Sequence, residues 1–194
     1  MPETISQRQE TLANCQRTLR LISILLSYPT ADWWTALPDC RTAAEALAVP
    51  QARQVLTEYI DDAEEAGAEE YERRYVTHFD FSQNTNLYLT TQDRTDFGKQ
   101  AQVMHRYKEL FLENGYDTDK ELPDYLPALL ELAAVSDAAG ACRILTLAEP
   151  QLKLLRERLI EAKLPQAFLL DIVALEQSLL SELSAAEKGD DNRA

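Results

Sequence analysis

The stretch ACRILTLAEPQLKLLRERLI, residues 141–160, sets Leu145, Ala148, Leu152, Leu155 and Leu159 at alternating steps of three and four. Residues so spaced share one stripe of a helix. Pro150 interrupts the stretch and removes a backbone donor, which predicts a kink or a break there. The same period extends outward in both directions. Over residues 7–27, Leu12, Cys15, Leu19, Ile22 and Leu26 form a stripe that ends at Tyr28-Pro29, because a residue before proline is pushed out of the helical region. Asp32-Trp33-Trp34 reads as a short helix or turn, and a second short helix follows Pro38-Asp39.

Pro50 can open the next helix, where a missing N–H costs nothing. Ala52, Val55, Leu56, Tyr59, Ile60 and Ala63 line its apolar face, and Gly67 is its stop. From Ala68 a helix resumes with Tyr71, Tyr75 and Phe79 stacked four apart. Residues 80–92 read as a loop that packs Leu87 and Leu89. A helix over 93–114 places Phe97, Ala101, Met104, Tyr107 and Phe111 inward, with Gly115 as its cap. Asp124 reads as the N-cap of a helix through Leu129, Leu130 and Ala133, with Pro127 tolerated in the first turn. The last helix starts near 165 and buries Phe168, Ile172, Leu175 and Leu179. The reading is an all-α, single-domain bundle of eight to nine helices over 1–185, with a polar, disordered tail at 186–194.

Composition agrees. The 194 residues contain 5 Gly and are 45% hydrophobic, ordinary for one globular domain. Lys and Arg number 19 against 33 Asp and Glu, a formal net charge of −14. Such a field repels nucleic-acid phosphates and anionic lipid headgroups and favours a basic protein segment. Cys15, Cys40 and Cys142 are odd in number and form no C-x-x-C pair, so neither a disulfide framework nor a zinc site is suggested. No signal-peptide pattern or membrane-length apolar run occurs. A cytoplasmic location is the expectation.

Motifs of catalysis are absent from the sequence: there is no glycine-rich phosphate loop and no nucleophile elbow. His78 and His105 each lack a second ligand at helical spacing, which favours surface or capping roles over metal binding. Three features stand out. One is an acidic run of Glu58, Asp61, Asp62, Glu64, Glu65, Glu69, Glu70 and Glu72; a solvated helix face is its plainest reading, an electrostatic guide for a basic peptide the other. The aromatic ladder Tyr71, Tyr75, Phe79, ending at Asp80, is core by its spacing, yet tyrosines also suit the wall of a peptide groove. The third is Glu121-Leu122-Pro123-Asp124-Tyr125-Leu126-Pro127, where two prolines fix a rigid turn able to present Glu121 and Tyr125.

Tyr75-Val76-Thr77-His78-Phe79-Asp80, followed by that Leu-Pro-Asp turn and a Leu-rich helix, resembles the NarJ family of nitrate reductase molybdenum cofactor assembly chaperones, over about residues 10–180. The resemblance implies an all-helical protein that catalyses no reaction and holds no cofactor stably. It implies binding to the apo catalytic (alpha) subunit of nitrate reductase, in part through a basic amphipathic N-terminal segment. The client is thereby kept competent for insertion of bis-molybdopterin guanine dinucleotide, with molybdenum cofactor biosynthesis proteins as further partners. Tyr71, Tyr75, Phe79, Asp80, Glu121, Pro123, Asp124 and Tyr125 are the candidate client-binding residues. Two positions depart from related patterns: Tyr125 stands where the family often has His, and Leu122 where the trimethylamine oxide reductase chaperones favour Glu. A chaperone for another molybdoenzyme, or a helical haem-binding enzyme using His78, are the alternatives.

Overall fold

A computed structural model describes residues 4–93, 96–117 and 121–191. Among them are eight α-helices: α1 Ile5–Leu26, α2 Ala31–Glu45, α3 Pro50–Ala66, α4 Ala68–Tyr75, α5 Phe97–Glu113, α6 Leu126–Val135, α7 Ala138–Glu161 and α8 Gln166–Asp191. A π turn, Val76–Asp80, extends α4, and one 3₁₀ turn spans Leu89–Thr91. The fold is all-α, as its composition predicts.

α1 is the axis. It starts on a capping box between Thr4 and Gln7 and buries residues on most of its circumference, among them Cys15, Leu19, Ile22, Leu25 and Leu26. α2, α6 and α8 all pack on it. Polar groups on α1 tie down other segments: the Asn14 side chain accepts from the Ala48 N–H at 2.8 Å, and the Ser23 hydroxyl donates to the Pro127 carbonyl at 2.7 Å. α6 is apolar around nearly its whole surface because it lies between α1 and α7. α8 closes the bundle against α7, α1 and α3.

Several boundaries follow local chemistry. Gly67, at φ 73°, takes the left-handed backbone that lets α3 stop and α4 restart at an angle. Asp96 and Asp137 cap α5 and α7 through the N–H groups of Lys99 and Gly140. Other expectations need correction. The two short helices predicted around Pro38 are one helix, α2, with proline inside it. α7 is likewise unbroken across Pro150, because both faces flanking the proline are held by packing against α6 and α8.

Two helices bury only part of the face predicted: Tyr107 and Phe111 of α5 and Ile172 of α8 are inside as expected, and other residues are not. α5 buries Tyr107, Leu110 and Phe111, while Phe97 is 90% exposed and Ala101 is exposed. Its buried residues lie in its second half, where the Tyr107 hydroxyl donates to Gln151 of α7 at 3.3 Å. In α8, Phe168 is 60% exposed; Leu169, Leu170, Ile172, Val173, Leu180 and Leu183 are its large buried apolar residues, and Leu175 and Leu179 are half-buried. Three neighbouring helices, not one, set which of its residues face inward. α8 also runs to Asp191, past the start of the expected polar tail, whose last residues, 192–194, lie outside the described residues.

Candidate functional site

The turn at 121–127 is clasped to the loop at 86–92. The Leu89 N–H donates to the Asp124 carbonyl at 3.0 Å and the Leu126 N–H donates to the Leu87 carbonyl at 2.9 Å, which makes an antiparallel bridge between Tyr88 and Tyr125. Leu87, Leu89, Pro123 and Asp124 are buried beneath it. The Asp124 carboxylate accepts from the Thr90 N–H at 3.1 Å and from its hydroxyl at 2.6 Å. Asp124 is therefore not an N-cap. Tyr125 occupies that position and makes no side-chain cap bond. The two donors that an Asp124 cap would need are gone: the Leu126 N–H is given to Leu87, and Pro127 has none.

Above the clasp lies a cluster of aromatic rings. The Tyr75 hydroxyl donates to the Leu26 carbonyl at 3.0 Å and lies 3.4 Å from the Tyr125 hydroxyl. Its ring meets Phe79 at 4.9 Å and Tyr28, edge-on, at 5.4 Å, and Tyr125 in turn meets Tyr88 at 5.2 Å. The π turn brings this about, since the wider turn tucks Phe79 under the chain and leaves Asp80 and Phe81 outside. Phe79 is 4% exposed and Phe81 83% exposed. Tyr75 is buried too, so neither Tyr75 nor Phe79 offers a free ring to a partner; they form the support of the surface. The accessible rings are Tyr28, Tyr88 and Tyr125.

Carboxylates rim these rings. Glu72 accepts from the Tyr28 hydroxyl and Glu121 from the Tyr88 hydroxyl. Burial, joined by the Glu121 carboxylate, pushes the Tyr88 phenol up to about 12. Asp80 acts electrostatically on the hydroxyls of Tyr28, Tyr75 and Tyr125, and partial burial raises its own carboxyl above the ordinary range. Of the eight predicted residues, seven meet in this region. Tyr71 does not: it stacks on Trp33 at 5.1 Å and shares a hydrogen bond with Tyr59 at 2.7 Å, on the side of α4 that faces α2 and α3.

Four of the eight carboxylates in the acidic run on α3 and α4 are paired with three arginines. Arg41 pairs with Asp61 at 2.7 Å and Glu64 at 2.9 Å, while Glu70 pairs with Arg73 and Arg74. Arg74 also lies 3.8 Å from Asp62. Tyr71, Arg74, Tyr75 and His78 line a cleft of about 250 Å³ against Lys163 and Gln166. Burial and the nearby Arg74 hold the His78 imidazole below its usual range. His105 is exposed, 3.2 Å from Glu109. Among the described residues no group of three metal-ligating side chains occurs, and no helix is long and apolar enough to cross a membrane.

No family model matches the chain. It is 32% identical over 127 residues to the probable nitrate reductase molybdenum cofactor assembly chaperone NarJ of Bacillus subtilis, covering 65% of this chain and 69% of that protein. The chain belongs to this chaperone family. A second relative, the probable nitrate reductase molybdenum cofactor assembly chaperone NarW of Escherichia coli, is 29% identical over 182 residues, or 90% of this chain and 77% of its own. The nitrate reductase-like protein NarX of Mycobacterium tuberculosis is 28% identical over 172 residues; these are 79% of this chain but 26% of that longer protein.

Within this member of the nitrate reductase assembly chaperones, the Leu-Pro-Asp turn is a clasp that places Tyr125 and Glu121 beside the aromatic cluster. Tyr28, Tyr88, Phe81 and Leu122 were not among the predicted site residues. Tyr28 was read only as a helix terminator, and the other three stand in segments with no period to interpret. One signal is available for three of them: Tyr28 and Leu122 each precede a proline, and Phe81 follows the carboxylate of Asp80.

Proposed function

We propose that the chain is a dedicated chaperone, without catalytic activity, of the apo catalytic subunit of respiratory nitrate reductase. It receives a basic amphipathic N-terminal segment of that subunit on the surface formed by Tyr28, Asp80, Phe81, Glu121, Leu122 and Tyr125. While bound, the client is held open for insertion of bis-molybdopterin guanine dinucleotide, and the chaperone then leaves. The observation that carries this reading is the gathering of Glu72, Asp80 and Glu121 around half-exposed tyrosine rings, with Phe81 and Leu122 both exposed beside them. Exposed apolar side chains rimmed by like charge suit the helix-in-groove mode of recognition, with apolar contact giving affinity and charge giving orientation. Tyr75, Phe79, Pro123 and Asp124 hold that surface in place from beneath.

Calorimetry with a synthetic N-terminal segment of the catalytic subunit tests the proposal. The full chain should bind it, and Phe81→Ala combined with Leu122→Ala should weaken binding at least tenfold, about 1.4 kcal/mol. Absence of binding, or binding indifferent to this pair, overturns the docking surface. In cells, deletion of the gene should leave nitrate reductase as inactive apo-enzyme; full activity in the deletion strain would overturn the client assignment.

A further inference from the structure

In the middle of α8, Glu176 is 0% exposed. Neither of its carboxyl oxygens meets a donor at full hydrogen-bond geometry, although the Cys15 thiol and the Thr18 hydroxyl lie close enough to act weakly on it. It is the one buried acid among the described residues with both oxygens so placed; the buried Asp124 is held by Thr90. The groups that act on it come from α1: the Cys15 thiol and the Thr18 hydroxyl, both fully buried. Thr18 already gives its proton to the Asn14 carbonyl at 3.0 Å, and a thiol is a weak donor. Among the described residues no cation acts on the site. From α3, the buried Tyr59 phenol meets α8 at Gln166, near its start and away from Glu176, and is engaged with Tyr71. α7 presents Ala148, Leu152, Leu155 and Leu159 to the interior, and its Glu149, Lys153 and Arg156 pair on the exposed rim with one another, with Gln177 and with Asp171.

An ionised carboxylate in such surroundings is costly by several kcal/mol, whereas a neutral carboxylic acid is tolerable. The packed arrangement of α8 on α1 therefore belongs to the protonated form. We propose that Glu176 is a protonation latch: neutral, it lets α8 close on α1, and ionised, it draws the middle of α8 outward to water. Desolvation accordingly holds its carboxyl above the ordinary range. In the closed state the proton is bound more tightly than in the open one, where the carboxyl meets water and returns to the ordinary range of a free glutamate. Opening of α8 is then favoured as pH rises from that value, and the dependence levels off once the closed form also ionises. The device acts on α8, which also walls a groove against α7 lined by Leu152, Leu170 and Ala174, so an outward movement of α8 widens that groove. It stands apart from the client surface and does not depend on it.

Amide hydrogen exchange on the full chain, corrected for the intrinsic rate and followed from about pH 5.5 to 8.5, reads the opening of each helix separately. The expected result is an opening constant for α8 that rises by up to about tenfold per pH unit, with amides of α2 and α3 unaffected. In Glu176→Gln the slope for α8 should vanish. Equal slopes in both proteins, or no slope in either, overturns the latch. Should Glu176→Gln not fold, carbon-13 NMR of the carboxyl in the unaltered chain decides: a protonated Glu176 at neutral pH upholds the proposal, and an ionised one with α8 still protected overturns it.

Discussion

Asp124 shows how a single side chain can change its task once its donors are spoken for. Its carboxylate holds Thr90 by two bonds across the clasp, in place of capping α6. Hydrogen bonds to a buried charged group contribute about 1.5–3 kcal/mol, so Asp124→Ala should lower the unfolding free energy by about that amount in a urea titration, with Thr90 left unsatisfied. Phe79 and Phe81 form a second pair of contrasts. Phe79 is enclosed by Tyr75 and the core, and its truncation should cost about 3–5 kcal/mol of stability. Phe81 stands in solvent, and Phe81→Ala should leave stability within about 0.5 kcal/mol while weakening client-segment binding. Thermal melts beside calorimetry separate the two effects. Phe79 was legible as an inward residue from its place in the ladder. Phe81, two positions on, falls on the opposite side at helical spacing and stands in solvent just past the π turn.

At the level of the element, helix ends were easier to read than helix faces. Gly67, Pro29 and Pro50 stand where they interrupt or start helices for local reasons. α5 and α7 end in the same hydrogen-bond pattern, with the residue after the cap in the left-handed region: Gly115 at φ 79° for α5 and Lys163 at φ 57° for α7. A lysine there carries the steric cost that glycine avoids, about 1–2 kcal/mol. Lys163→Gly should therefore raise the melting temperature by several degrees, provided the gain exceeds the small loss of a cation near the carboxyl end of α7. A fall in melting temperature would show that the ammonium group does more for the fold than the backbone strain takes away. The faces of α5 and α8 follow their period only in part, Tyr107, Phe111 and Ile172 being buried while Phe97 and Phe168 are not, because a period says which residues share a side and not how far neighbours cover it. α8 packs on three helices, so its buried arc is wider than one stripe.

For the molecule as a whole, the net charge of −14 is unevenly available. Half of the acidic run on α3 and α4 is paired with Arg41, Arg73 and Arg74, whereas Asp80 and Glu121 have no ion pair among the described residues and stand at the aromatic surface. Client association should accordingly slow as salt is raised from about 0.05 to 0.5 M, the Debye length falling from over 10 Å to about 4 Å, with dissociation changing little. Stopped-flow kinetics at the two salt concentrations gives both rates. Equal loss in both would assign the charge to the bound contact and not to steering.

Helix content, the positions of most helix ends, the want of a catalytic motif and the acidic character all rest on short-range properties: propensity, a period near four residues, and residue counts. These could be read along the chain because each is decided within a turn or two of the residue concerned. The clasp of Asp124 to Thr90, the meeting of Tyr28, Tyr75 and Tyr125, the internal pairing of the acidic run and the enclosure of Glu176 against Cys15 join residues far apart along the chain. Only the packing of α1 against α2, α6 and α8 brings them within reach of one another. Burial and partner choice are properties of neighbours in space, and those neighbours do not exist until the helices have docked.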